Sequence, residues 1–318
     1  MFDHILVPLD GSSVAECVLP HVVAVTRAFG SRVTLLRVLE RTRTPGPTRF
    51  VDPLGWYINE AEARAYLDGW SARLQEAGLR VESALLEGQA AERIIGFVRD
   101  TDVGLIILSS HGRSGLSGWN VSGIVLKIIL RAYIPVMIVR AYQPVTSDLT
   151  GLHYRRLLAP LDCSQRAECV LPPATTLGRF HESELLVVNA VPRPQMPRRA
   201  PLTPEEIKLA NQIMELNRLE AARYLKQLQS RLDVNVRTHL LVSDHPAATL
   251  HDLVEQVDVD LVILSAHGYS GGTKWPYGSM VVNFIGYGTT PLLIVQDLSP
   301  DEVERTKAEM SARERKGH

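Results

Sequence analysis

The sequence predicts an α/β protein built as two doubly wound, five-stranded parallel-sheet domains (Rossmann-like) in tandem. Two observations carry this. The chain contains itself twice: residues 6–20 read LVPLDGSSVAECVLP and residues 158–172 read LAPLDCSQRAECVLP. Within each copy, short apolar runs alternate with segments of helical spacing, the order that builds βαβ units.

A second block repeats as well, DVGLIILSSHGRSG at 102–115 and DVDLVILSAHGYSG at 258–271. Trp119, Pro135 and Ile138-Val139 recur as Trp275, Pro291 and Ile294-Val295. The polar stretch Thr146–His153 marks the boundary, giving domains over 1–146 and 153–298 and a charged tail over 299–318.

Each copy opens on an apolar run, Ile5-Leu6-Val7 or Leu157-Leu158-Ala159, read as its first strand. A turn holding Asp10 or Asp162 follows. Ser13-x-x-Glu16 fits a capping box, which satisfies free backbone amides at a helix start; Gln165 replaces the serine in the second copy and predicts a weaker cap. Second strands are expected at Val33–Leu39 and Glu184–Val191. Connections rich in Pro and Arg, Arg41–Pro53 and Pro192–Pro204, lead to long helices near Ile58–Ala77 and Pro204–Leu232. Third strands fall at Val81–Glu87 and Val234–Val242. Leu105–Leu108 and Leu261–Leu264 are too short for buried helices and read as fourth strands; Pro135–Val139 and Pro291–Val295 would be the fifth. Continuous apolar strands suit a sheet covered on both faces. Ser299-Pro300-Asp301-Glu302 looks like a helix start, followed by a solvated end.

Composition bounds the function. A net charge of -1, with 22% charged residues, asks for neither nucleic acid nor an anionic membrane. No apolar run approaches the ~20 residues of a membrane span, and Met1-Phe2-Asp3-His4 lacks a signal peptide's basic start. Three cysteines make no disulfide framework. A cytoplasmic protein is expected.

Doubly wound sheets bind ligands beyond the carboxyl ends of their strands, where strand order reverses. Asp10, His111-Gly112, Asp162 and His267-Gly268 all lie at that edge. The strings ILVPLDGS and ILSSHGRSGLSGW resemble the universal stress protein family, across nearly the whole chain in two copies. The resemblance implies an adenine-nucleotide site, ATP with or without Mg²⁺, in which G-x2-G-x9-G-[ST] cradles phosphates and an Asp holds the ribose or adenine edge. In the second copy the site would comprise Pro160, Leu161, Asp162, Ala190, Ser265, His267, Gly268, Gly278, Ser279 and Met280. In the first it would comprise Pro8, Leu9, Asp10, Val38, Ser109, Gly112, Ser122 and Gly123.

Ser265-x2-Gly268-x9-Gly278-Ser279 matches three of the four motif positions, whereas Ser109-x2-Gly112-x9-Ser122-Gly123 matches one. Glycine lets backbone amides approach phosphate oxygens, and a hydroxyl adds a hydrogen bond. Losing two such bonds weakens binding roughly 10- to 100-fold, so the second copy is expected to be the better site. The competing readings are structural: Asp10 and Asp162 as turn formers, Val38 and Ala190 as apolar wall, His111 and His267 as core residues.

An esterase elbow at Gly268-Tyr269-Ser270-Gly271-Gly272 lacks a usable downstream histidine. Even six-residue spacing of His239, His245 and His251 is not a one-face helical repeat, so no metal site is read there. Cys163, beside Asp162, is a candidate reactive thiol; Cys17 and Cys169 read as core. With no phosphate-clamping lysine (Lys127 and Lys274 are the nearest), a non-catalytic sensor or regulator with at most slow ATP hydrolysis is expected. The alternative is a nucleotide-free interaction module. In relatives of this family the fifth strands pair across a two-fold axis, so the resemblance implies an internal pseudo-dimer, with a homodimer also open.

Overall fold

A computed structural model describes residues 1–40, 53–112, 121–141, 148–194, 203–269, 277–298 and 302–304. The chain divides into two compact units, Met1–His153 and Tyr154–His318.

The first unit runs β1 (His4–Pro8), α1 (Leu19–Phe29), β2 (Arg32–Leu39), α2 (Pro53–Glu76), β3 (Arg80–Glu87), α3 (Ala90–Asp100), β4 (Leu105–Ser109), α4 (Gly123–Ala132) and β5 (Val136–Val139). Its strands lie in the order β3-β2-β1-β4-β5, every pairing parallel. The second unit repeats this with β6 (Arg156–Pro160), α5 (Leu171–Phe180), β7 (Glu184–Pro192), α6 (Pro204–Arg231), β8 (Val236–Ser243), α7 (Pro246–Gln256), β9 (Leu261–Ser265), α8 (Ser279–Tyr287) and β10 (Leu292–Val295). Its order is β8-β7-β6-β9-β10, again parallel.

Burial explains the continuous apolar strands. Ile5, Leu6, Val7, Leu105, Ile106 and Ile107 are wholly buried, as are Leu157, Leu158, Leu261 and Ile263, because helices cover both faces. Strand order reverses between β1 and β4, and between β6 and β9. The two carboxyl-end crevices therefore open at Asp10 and Asp162.

The helix starts after these turns differ from the sequence expectation. A short 3-10 turn, Ala15–Val18 or Ala167–Val170, precedes α1 and α5, each of which has proline in its first turn. Ser12, not Ser13, provides the cap: its Oγ accepts from Ala15 N at 3.2 Å. Glu16 turns away to accept from Trp70 Nε1 at 3.3 Å. Ser164 caps Ala167 N at the same 3.2 Å, while Glu168 accepts from Tyr224 and Arg231. The second cap is thus no weaker than the first, since Ser164 and not Gln165 holds the accepting position. Helix α6 carries a full capping box between Thr203 and Glu206.

Trp119, Trp275, Ser270–Gly272, Lys274, most of the Arg-rich connections and most of the tail lie outside the described residues. Among the described residues, no helix is long and apolar enough to cross a membrane.

Candidate functional site

In the first unit a cavity of about 640 Å³ opens at the crevice between β1 and β4. Seven of the eight residues read from the sequence line it: Pro8, Leu9, Asp10, Val38, Ser109, Gly112 and Ser122. Gly123 is not among them. The cavity's size falls in the range of small-molecule sites. His111 also lines it, together with Arg37, Trp56 and Asn59, which sequence reasoning did not single out.

Asp10 is held by its own turn. Its Oδ1 accepts from Ser12 N at 3.0 Å and from Ser12 Oγ at 2.6 Å, an Asx turn of the kind this residue type favours. Its Oδ2 lies against Gly112, where an added Cβ would sit 2.2 Å from that oxygen. Glycine at 112 is therefore a packing requirement: only hydrogen leaves room for the carboxylate.

The second unit reproduces the contact. Asp162 Oδ1 accepts from Ser164 N at 3.0 Å and Ser164 Oγ at 2.6 Å. Its Oδ2 would meet a Cβ on Gly268 at 2.3 Å, and it accepts from Tyr269 N at 2.5 Å. Pro160 ends β6 and Leu161 follows it, Ala190 sits near the end of β7, and Ser265 ends β9. Gly278 N donates to Ala266 O at 2.8 Å, which folds the start of α8 back beside the bend. Ser279 and Met280 are the first residues of that helix.

The two helix starts differ in one respect. In α4, Ser122 is the N-cap and its Oγ accepts from Val125 N at 3.3 Å. In α8 the N-cap is Gly278, with no side-chain cap. A helix N-terminus presents free amides and a positive dipole end, and an anion satisfies both. The first unit's N-cap residue already supplies a side-chain acceptor; among the described residues the second unit's N-cap supplies none.

His267 does not face the crevice freely. Its ring is buried, with Nδ1 2.8 Å from Asp297 Oδ1, and its backbone N donates to the same oxygen at 3.1 Å. Asp297 Oδ2 lies 3.2 Å from Arg166 Nε, and Arg166 also donates to Glu302 at 2.7 Å. The ion pair with Glu302, chiefly, holds the Arg166 proton more firmly. Position by position the first unit has Val14 and Ala141 in place of Arg166 and Asp297, so those two positions supply no counterpart of this ionic brace. Only that comparison of repeats could have revealed it, since the three partners are remote in sequence.

Cys163 is not an activated thiol. Desolvation of its sulfur and the adjacent Asp162 carboxylate raise its pKa, although part of the side chain reaches solvent. Cys17 is buried, and Cys169 is partly so, with burial pushing its thiol up to about 11. Among the described residues no group of three His, Cys, Asp or Glu side chains is placed to hold a metal ion.

The fold has counterparts. The universal stress protein family model matches residues 1–140 and again 153–296. Universal stress protein MJ0577 of Methanocaldococcus jannaschii is 26% identical over 155 residues, covering 44% of this chain and 96% of that protein. MJ0531 of the same organism is 23% identical over 141 residues, covering 44% and 83%. A universal stress protein from Archaeoglobus fulgidus superposes with a TM-score of 0.64 at 16% identity, over 94% of this chain and 100% of that one. A putative universal stress protein from Pseudomonas aeruginosa gives 0.66 at 16%, over 98% of each chain. With the family pattern present in both halves, the chain belongs to the universal stress protein family as a tandem, two-domain member.

Proposed function

We propose that the protein binds an adenine nucleotide, ATP foremost, in the second unit, and that it acts as a non-catalytic sensor or regulator in a stress response. The observation that carries this is the start of α8. Gly278 leaves the helix amides without a side-chain acceptor, beside a bend whose Gly268 is pressed against Asp162. A polyphosphate supplies the missing acceptor, and Asp162 stands where a ribose or adenine edge would be held. Any Mg²⁺ would arrive with the phosphates rather than at a protein cage.

The test is calorimetric titration of the full chain with ATP and Mg²⁺, alongside Gly278→Ser and Gly268→Ala. Binding that falls at least tenfold in both variants supports the reading. Absence of binding in the parent chain, or binding unaffected by either change, overturns it.

One observation favours a nucleotide-free interaction module instead: Asp162 is already committed to Ser164 and Tyr269 N. Mass spectrometry of small molecules released on denaturing the purified protein separates the two readings.

A further inference from the structure

We infer that helix α6 carries a self-association surface, on which a second copy of the chain packs its own α6 antiparallel about a two-fold axis. From Thr203 to Glu220 no residue of this segment is buried, whereas Ala221, Leu225 and Leu228 farther along pack into the core. The free part is held helical by its own side chains: Thr203 and Glu206 form the capping box, and Arg218 pairs with Glu215 and Arg223 with Glu220 at i,i+3. Yet it is not a polar helix. Leu209, Ile213 and Leu216 are 50%, 39% and 64% exposed. At roughly 100° per residue they fall on one stripe within about 60° of arc. The stripe points away from the buried face, since Leu216 and Ala221 stand roughly 140° apart round the helix. Large apolar side chains gathered in this way mark an interaction surface.

The residues around the stripe choose its occupant. Ala210, Gln212, Asn217 and Leu219 flank it without charge. Charge on this face stands toward the ends, acidic at the start (Glu205, Glu206) and basic farther on (Arg223, Lys226), with Glu220 already paired to Arg223. A parallel mate would set acid against acid and base against base. An antiparallel mate reverses the order. With Ile213 facing Leu216 of the second copy, and Leu216 facing its Ile213, Leu209 lies against the stem of Glu220, Glu206 meets Arg223 and Glu205 meets Lys226. The same patch then serves both copies, as a two-fold contact requires, and the end charges set the orientation.

The fold does not require this stripe. Helix α2 is the counterpart of α6, since Tyr66 bonds Glu16 as Tyr224 bonds Glu168. At that register Gly55 replaces Ile213, and Ala65 and Asp68 replace Arg223 and Lys226. Both the centre of the stripe and its basic end are thus changed in the first unit. The surface lies on α6 rather than at the strand-end crevice, and it stands whether or not a nucleotide binds.

Sedimentation equilibrium of the full chain tests this. A reversible monomer–dimer equilibrium is expected, weak because one helix pair buries less than about 1,200 Å². Ile213→Glu/Leu216→Glu should raise the dissociation constant at least about tenfold, while thermal unfolding of the monomer stays unchanged because both side chains are exposed. Glu205→Lys and Lys226→Glu should each weaken association about threefold, and the two together should recover most of it, a recovery that the antiparallel register gives and a parallel one does not. A monomer persisting to about 1 mM, or a dimer indifferent to Ile213→Glu/Leu216→Glu, would overturn the assignment. So would a dimer lost instead on Leu54→Glu/Ile58→Glu in α2, or charge variants whose losses simply add.

Discussion

His267 and Asp297 meet at 2.8 Å with both side chains 1% exposed, a buried pair at the foot of the bend that precedes Gly268. Arg166 approaches the same carboxylate from the turn after β6 and reaches on to Glu302. The second unit's bend is thus braced from behind by charge, whereas Ser110 Oγ, at 3.2 Å, is the corresponding neighbour of His111 Nδ1 in the first.

Asp297→Ala should cost the second unit about 3 kcal/mol, because removing one member of a buried pair strands its partners. Hydrogen exchange of β9 and β10 amides under mild denaturant reads the loss locally. Exchange in β1 and β4 should be unchanged. Protection in β9 equal to that of the parent chain would show that the brace adds nothing.

Gly278→Ser transplants the cap of Ser122. A Cβ there meets nothing closer than Ala266 O at 3.6 Å, so a side chain fits. The new hydroxyl should stabilise α8 by about a few tenths of a kcal/mol while weakening ATP at least tenfold. Ser122→Gly should do the reverse to α4. Thermal unfolding and calorimetry on the two variants check that stability and affinity move in opposite directions.

Gly112→Ala and Gly268→Ala should each expel an aspartate from its groove, since the added carbon would stand within 2.3 Å of a carboxylate oxygen. A loss of about 1–3 kcal/mol is expected from the displaced hydrogen bonds. The double variants Asp10→Gly/Gly112→Ala and Asp162→Gly/Gly268→Ala remove the clash, so their glycine changes should cost less; equal costs would place the strain elsewhere.

His21, buried in α1, has its pKa lowered to about 4 by desolvation, from 6.5. The folded state therefore stays neutral while the unfolded chain takes a proton below pH 6.5. Stability from this group is intact above that pH and falls by about 1.4 kcal/mol per unit as pH drops toward 4, about 3 kcal/mol in all. His21→Leu should flatten the denaturation midpoint over that window; an unchanged slope in the variant would refute the assignment.

The sheet was legible because two local signals, short apolar runs and helical spacing, agreed in both repeats. The contact of Asp10 with Gly112 was legible only as two residues near one edge; that a Cβ would strike the carboxylate is a packing fact that no spacing encodes. Ser13 was misread as a cap because the chain enters α1 through a 3-10 turn, which shifts the acceptor to Ser12, and because Glu16 finds Trp70 instead. Arg37 was hidden inside an apolar strand pattern, where a single cation reads as a solvated interruption. Matching the repeats picks it out, since they differ at Arg37 and Asn189, Gly11 and Cys163, Ala141 and Asp297.

The pair Gly11–Arg37 has an evolutionary corollary. Crossing over between the two halves of the coding sequence would carry the turn after one first strand without the second strand that belongs to it. A hybrid with Cys at 11 and Arg at 37 sets a thiol-bearing carbon 2.9 Å from a guanidinium carbon, and Cys163 already tolerates a φ of +66°, a conformation costing roughly 1–2 kcal/mol outside glycine. A side chain at 11 would displace the flexible end of Arg37 rather than forbid the exchange, so glycine there is what lets the guanidinium rest over the turn.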